Sequence, residues 1–209
     1  MPVAFTPEER NSIRARLLDT ARRLLPVVGL RKMSIDSLTR EAGISKAAFY
    51  SFYSSKEALY LELIMQEGPG IAERVLTPLQ NRSLPPAVAL ESFLKALMVE
   101  YAENPILRRL IEAPEELAAV RRKAGNQRME VKRALGYEPI LAFVREAQAS
   151  GAMIAADPAA VLYTITAIPH LLLHKEELGG AEWGKTQALL IQCVVAGLFQ
   201  RTNESESAV

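Results

Sequence analysis

Apolar residues recur at helical spacing along nearly the whole chain. Ile13, Leu17, Ala21, Leu24 and Leu25 form a first inward stripe, with Arg10, Arg14, Arg16, Arg22 and Arg23 largely outside it. Thr6 is a suitable cap, Pro7 suits the first helical position, and Glu8 and Glu9 complement the dipole. A helix is therefore predicted from about Pro7 to Leu25, stopped by Pro26 and Gly29. Two short helices follow. Ser34 caps one whose apolar face is Leu38, Ala42 and Ile44, and Gly43 permits the positive-φ turn that ends it. Ser45 caps the other, in which Phe49 and Tyr53 lie four apart and pack inward. Two short helices joined by a Gly-containing turn form a helix-turn-helix, whose second helix fits the major groove of DNA. A fourth helix starts at Ser55-Lys56 and is expected to reach about Glu67, where Gly68, Pro69 and Gly70 break or kink it at a junction between domains.

Beyond Ser83 every strong pattern is again helical. Pro85-Pro86 opens a helix through Glu103, with Leu90, Phe93, Leu94, Leu97, Met98 and Tyr101 inward, and Asn104-Pro105 closes it. Short helices are expected over Ile106 to Glu112 and from Pro114 through Val120. Arg121 to Gly136 is polar and basic and reads as one long helix or two. Pro139 to Ser150 is amphipathic. Asp157-Pro158 starts a helix through about Leu173 that must bend at Pro169. The last helix, from Trp183 to Arg201, is apolar nearly all round between Leu189 and Phe199, and the tail TNESESAV reads as disordered. No strand or repeat stands out, so the expected fold class is all-α.

Composition narrows the class. Forty-nine per cent apolar with 23 per cent charged residues is ordinary for a soluble globular protein. The longest apolar runs are too short to span a bilayer, and Glu8 and Glu9 precede any apolar run, so neither a membrane span nor a signal peptide is expected. The single Cys193 cannot form an internal disulfide, which fits a reducing cytoplasm, and among apolar neighbours it reads as a buried small hydrophobe. The net charge of +1 conceals an asymmetry: residues 1–60 hold ten Lys/Arg against six Asp/Glu, the remainder fifteen against eighteen. A basic head on a mildly acidic body suits a phosphate-binding unit.

The stretch GISKAAFYSFYSSKEAL resembles the DNA-binding signature of the TetR family of transcriptional regulators, which usually reads Gly-Val-Ser-Lys-x-x-Leu-Tyr-x-x-Phe-x-Ser-Lys-Glu-x-Leu. The resemblance covers about the first 60 residues. It implies a three-helix DNA-binding domain over 1–60, and a larger helical effector-binding and dimerisation domain over 61–203, with 204–209 as the tail. Ser34, Tyr50 and Lys56 match the family's phosphate clamps, and two of them lie at helix N-termini, where free N–H groups also favour an anion. Ser45, Lys46, Ala47, Ala48 and Ser51 fall on the reading helix; Lys46 can donate to guanine and an alanine methyl can meet thymine. With so sparse a set, specificity is expected to lean on DNA shape, or on Asp36 and Ser37 in the helix before. Tyr53 stands where the family usually has Phe, its ring in the core and its hydroxyl a possible phosphate donor. Phe52 departs from the pattern and either touches a base methyl or packs on the first helix. The arginines of that helix either reach phosphate or form a solvated basic face.

By the same resemblance the body holds a largely apolar pocket and the dimer interface. Phe93, Leu97, Tyr101, Met129, Phe143, Tyr163 and His170 are the pocket candidates, although inner-face spacing equally describes plain core. Leu162, Ile165, Leu190, Val194, Gly197 and Leu198 are the interface candidates. His170 and His174 lie four apart, a metal-compatible spacing that Glu176 and Glu177 could complete, but acids at a helix end are common and no cysteine is adjacent, so the two read as structural or interface residues. No GxSxG, P-loop, GxGxxG or CxxC pattern occurs, and Glu115-Glu116 read as first-turn acids serving the dipole, so no enzyme, metal or cofactor is expected. The expected function is a cytoplasmic homodimeric repressor, bound to a palindromic operator and released by a small effector. The alternative is a DNA-binding protein without an effector, architectural or partner-regulated.

Overall fold

The computed structural model describes residues 5–125 and 136–199, all helix, turn or loop, with no strand among them. The helices are α1 (Pro7–Lys32), α2 (Ile35–Ala42), α3 (Lys46–Phe49), α4 (Lys56–Gln80), α5 (Pro86–Glu103), α6 (Pro105–Glu112) and α7 (Pro114–Ala124), then α8 (Tyr137–Ala149), α9 (Pro158–Ala167) and α10 (Trp183–Phe199). Short 3₁₀ segments cover Ile168–His174 and Gly180–Glu182. The chain is all-α, as expected.

Packing divides the chain into two compact units: residues 1–68 with 104–134, and residues 69–103 with 135–209. In the first, α1 packs on α2 and α6, α2 on α3, and α6 on α7. Leu17, Leu25, Leu38, Phe49, Leu59 and Leu63 are fully buried there. The grouping of α6 and α7 with the helix-turn-helix carries no signal in their hydrophobic periodicity. The capping expectations for α1 hold: Thr6 and Glu9 form a reciprocal capping box with Pro7 in the first turn. Its end does not match. The helix passes Pro26 and is interrupted only at Gly29 (φ 72, ψ 165), resuming through Lys32. A proline removes one helical N–H, and burial of Leu25 and Leu30 on either side holds the helix together.

Helix α4 likewise runs through Gly68-Pro69-Gly70 to Gln80 instead of ending near Glu67. Buried Leu63 and Ile64 precede that proline, and buried Ile71, Val75 and Leu76 follow it. The two units divide at Gly68 and Pro69, within this helix.

In the second unit α8 packs on α9, and α5 on α10 and on the 3₁₀ segment at Ile168–His174. Leu90, Phe93, Leu94, Val144 and Ile165 are its fully buried centre. The expected bent α-helix over 157–173 is instead α9 followed by 3₁₀ turns from Ile168, because Pro169 offers no N–H to continue the α pattern. Part of the basic segment 121–136, and the tail 204–209, lie outside the described residues. Among the described residues no helix is long and apolar enough to cross a membrane.

Candidate nucleic-acid interface

The helix-turn-helix is assembled by local signals. Ser34 Oγ accepts from the Ser37 N–H at 3.0 Å and starts α2. Gly43 ends it in the left-handed region (φ 67, ψ 36), a conformation that favours glycine. Ser45 Oγ then accepts from the Ala48 N–H at 3.1 Å and starts α3. The second helix is a single turn, extended by turn hydrogen bonds from the Ser51 N–H to the Ala48 carbonyl and from the Phe52 and Tyr53 N–H groups to the Phe49 carbonyl. Phe49 is fully buried, while Tyr50 is 53% exposed. Lys46, Ala47 and Ser51 are exposed with it and Ala48 is half-buried, so the expected reading residues share the solvent side of the motif.

Ser34, Asp36, Lys46, Tyr50, Ser55 and Lys56 line one open surface concavity of about 360 Å³. The N-terminal ends of α2 and α4 both border it, so the expected phosphate clamps converge where free backbone N–H groups also lie. Two details differ from a simple basic patch. Lys46 Nζ is 3.4 Å from Asp36 Oδ1, an exposed ion pair. Lys56 Nζ donates to the Arg31 and Met33 carbonyls at 3.0 and 3.1 Å, tying down the chain between α1 and α2.

Tyr53 needs correction. It is 5% exposed, its ring lies 5.9 Å from that of Phe49, and its buried hydroxyl finds no hydrogen-bond partner. Burial, and then the nearby Glu62 carboxylate, push the phenol up, and the residue belongs to the core instead of the DNA face. Phe52 finds its place on the first helix: its ring is 5.9 Å from Phe5, and the Arg10 guanidinium sits 4.6 Å above it. Arg10 also donates to the Ser51 carbonyl at 3.1 Å. The basic face of α1 is largely ion-paired: Arg14 forks onto Glu62 at 2.7 Å, Arg22 meets Glu67 and Asp19, and Arg23 meets Glu41.

A feature missed from the sequence lies on α6 and α7. Glu116 is 6% exposed and takes a forked contact from Arg109, at 3.0 Å from Nε and 2.6 Å from Nη2. Burial alone would raise its pKa, but the Arg109 hydrogen bond and the Leu30 and Arg31 N–H groups hold it below the usual carboxylate range. Glu116 is therefore more than a first-turn acid.

In the second unit, Phe93 and Leu97 are in the buried core, with Tyr101 and Phe143 packed against it. Burial, helped by Tyr137, pushes the Tyr101 phenol up to about 12. Tyr163, 56% exposed, and His170 stand on the outside of the unit and do not join this cluster; Met129 lies outside the described residues. Of the interface candidates, Leu162, Ile165 and Leu198 are buried in their own unit, Leu190 and Val194 half-buried, and Gly197 exposed. An all-round apolar pattern gave no means of telling the inner side from the outer. The outer side of α10 instead presents Leu189, 61% exposed, with Cys193, Ala196 and Gly197. Cys193 is thus exposed and not a buried hydrophobe. His174 Nδ1 lies 3.1 Å from Glu177, and no group of three or more potential metal ligands occurs among the described residues.

These features define an all-helical helix-turn-helix protein. Residues 17–63 match the model of the bacterial regulatory proteins of the tetR family. The chain is 42% identical over 66 residues to the HTH-type transcriptional regulator EthR of Mycolicibacterium smegmatis, a match covering 28% of this chain and 30% of that one. It is 29% identical over 87 residues to the regulator YxaF of Bacillus subtilis, covering 41% and 45%. These matches span less than half the length of either relative. Along nearly its full length the chain shares the fold of a TetR family transcription regulator from Marinobacter aquaeolei VT8, with TM-score 0.62 and 20% identity over 94% of this chain and all of that one. Its helix-turn-helix part is thus similar to the tetR family of bacterial regulatory proteins, and the chain shares the fold of such a regulator along nearly its full length. The family and these relatives are regulators of transcription, not enzymes.

Proposed function

We propose that the protein is a homodimeric, cytoplasmic repressor that binds a palindromic operator and leaves it when a small, largely apolar ligand occupies the 61–203 body. The observation that carries the DNA-binding part is the concavity at the outer side of the motif, where Ser34, Lys46, Tyr50 and Lys56 meet two helix N-termini. Ser34 and Tyr50 hold phosphate. Lys56 braces the chain before Ser34 and keeps one N–H for phosphate. Lys46, released from Asp36, reads a base edge with Ala47, Ala48 and Ser51 beside it. Ser45 contributes mainly as the cap of α3.

The dimer reading draws on the exposed apolar side of α10 and on the exposed Tyr163 of α9, since a four-helix interface is built from such outward apolar positions. The ligand reading draws on the apolar core that contains Phe93 and against which Tyr101 and Phe143 pack. Release is then a population shift: the ligand binds better to the state in which the two reading helices are wrongly spaced for successive major grooves. The reading without an effector draws on the same core, where Leu90, Phe93 and Leu94 are fully buried.

Binding to a pool of genomic fragments at two salt concentrations tests the proposal. Enrichment of a palindromic site, with affinity falling steeply as salt rises, is expected. Weak binding without sequence preference at either salt would refute it.

A further inference from the structure

We infer that Arg109 and Glu116, outside the helix-turn-helix, are positioning residues for DNA binding, because their ion pair fixes the chain where α1 hands over to α2. The inference rests on the DNA-binding reading above.

The segment from Gly29 to Met33 is held by two charges. Glu116 Oε1, already bonded to Arg109 Nη2, also accepts from the Arg31 N–H at 3.4 Å. Lys56 Nζ donates to the carbonyls of Arg31 and Met33. The Arg31 residue is thus engaged at both backbone groups, its N–H by a carboxylate and its carbonyl by an ammonium. Gly29 makes room for this arrangement. A Cβ there would lie 2.1 Å from Arg109 Nη2 and 2.8 Å from Glu116 Oε1, and its φ of +72 is itself unfavourable for other residues. The next residue after Met33 is Ser34, the cap of α2 and a wall of the DNA-facing concavity. The direction in which Ser34 and the first turn of α2 face DNA therefore follows from how residues 29–33 are seated.

Stability alone does not require the pair. A buried ion pair exchanged for apolar groups of similar size often leaves a fold as stable or more so. What apolar groups cannot supply is an acceptor for the Arg31 N–H. The pair thus contributes orientation to a segment whose next residue touches DNA.

Charge and positioning predict opposite signs, which makes the inference testable. Glu116→Gln removes a negative charge from a protein that binds a polyanion, so charge alone predicts tighter binding. Positioning predicts weaker binding, because the amide NH2 that replaces Oε2 cannot accept from Arg109 Nε, so the fork that holds Oε1 against the Arg31 N–H is lost. The full-length protein and an enriched operator fragment would be used, with affinity from fluorescence anisotropy at two salt concentrations and helicity from circular dichroism. Glu116→Gln is expected to bind roughly five- to tenfold more weakly, part of the effect of losing a charge-assisted hydrogen bond, with the salt slope unchanged. The double variant Arg109→Met with Glu116→Leu strands no charge, so it keeps the fold, and it is expected to bind at least as weakly. Glu115→Gln, at the exposed neighbouring position, is the control for charge and should bind as tightly as the parent or more so. Parental or tighter binding by the folded double variant, or by folded Glu116→Gln, overturns the inference. If the parent itself selects no fragment, the DNA-binding reading fails instead, which is a distinct outcome.

Discussion

Replacing Tyr53 by Phe separates a core role from a DNA role at one atom. The side chain is 5% exposed, and its hydroxyl, beside the Arg14–Glu62 pair, has lost water without gaining a hydrogen bond of good geometry. An unsatisfied buried polar group of this kind costs about 1–3 kcal/mol. Phe retains the ring and its contact with Phe49 at 5.9 Å, and introduces no new volume. Removing the oxygen opens only a small void, so a net gain of about 1 kcal/mol is expected. In a chain of this size that raises the melting temperature by roughly 2–4 °C. Scanning calorimetry with a urea titration would measure the gain, and anisotropy on the operator should show affinity unchanged. A fall in stability of similar size would show that the hydroxyl is bonded in solution. A fall in affinity with stability unchanged would return Tyr53 to the list of phosphate contacts.

Ser34→Ala removes the cap of α2 and a wall of the DNA-facing concavity together. A loss of about 1 kcal/mol in urea-determined stability is expected alongside weaker operator binding; stability falling with affinity intact would exclude Ser34 as a DNA contact. Leu189→Asp places a charge at the large apolar side chain that α10 exposes, 61% open to solvent. Sedimentation velocity should show a monomer with parental helicity and lost operator binding, and a persisting dimer would move the interface elsewhere.

Much of the first unit was legible because its signals are local. Ser34, Gly43 and Ser45 each act within a few residues through a cap or a positive φ, so the helix-turn-helix could be placed without knowing what it packs on. The lengths of α1 and α4 were not legible. Whether Pro26 or Pro69 ends a helix depends on burial supplied by other helices, and the same residues in isolation read as stops. Glu116 escaped for a related reason, since one partner is seven residues away across the turn between α6 and α7 and another is the backbone of Arg31. In α9 and α10 apolar residues on every side left no moment to orient them. Leu162 and Leu198 therefore traded places with Tyr163 and Leu189 as the outward residues.

The brevity of α3 bears on how such a protein can change its target. Its geometry is set by the Ser45 cap, buried Phe49 and the turn bonds that follow, while Lys46, Ala47 and Ser51 point outward and fill no space in the core. On the function proposed above, the residues that recognise DNA and those that fold are thus different residues of one short segment. Drift at the recognising positions meets little resistance from the fold, so new operators can be acquired by point substitution while the scaffold is inherited intact.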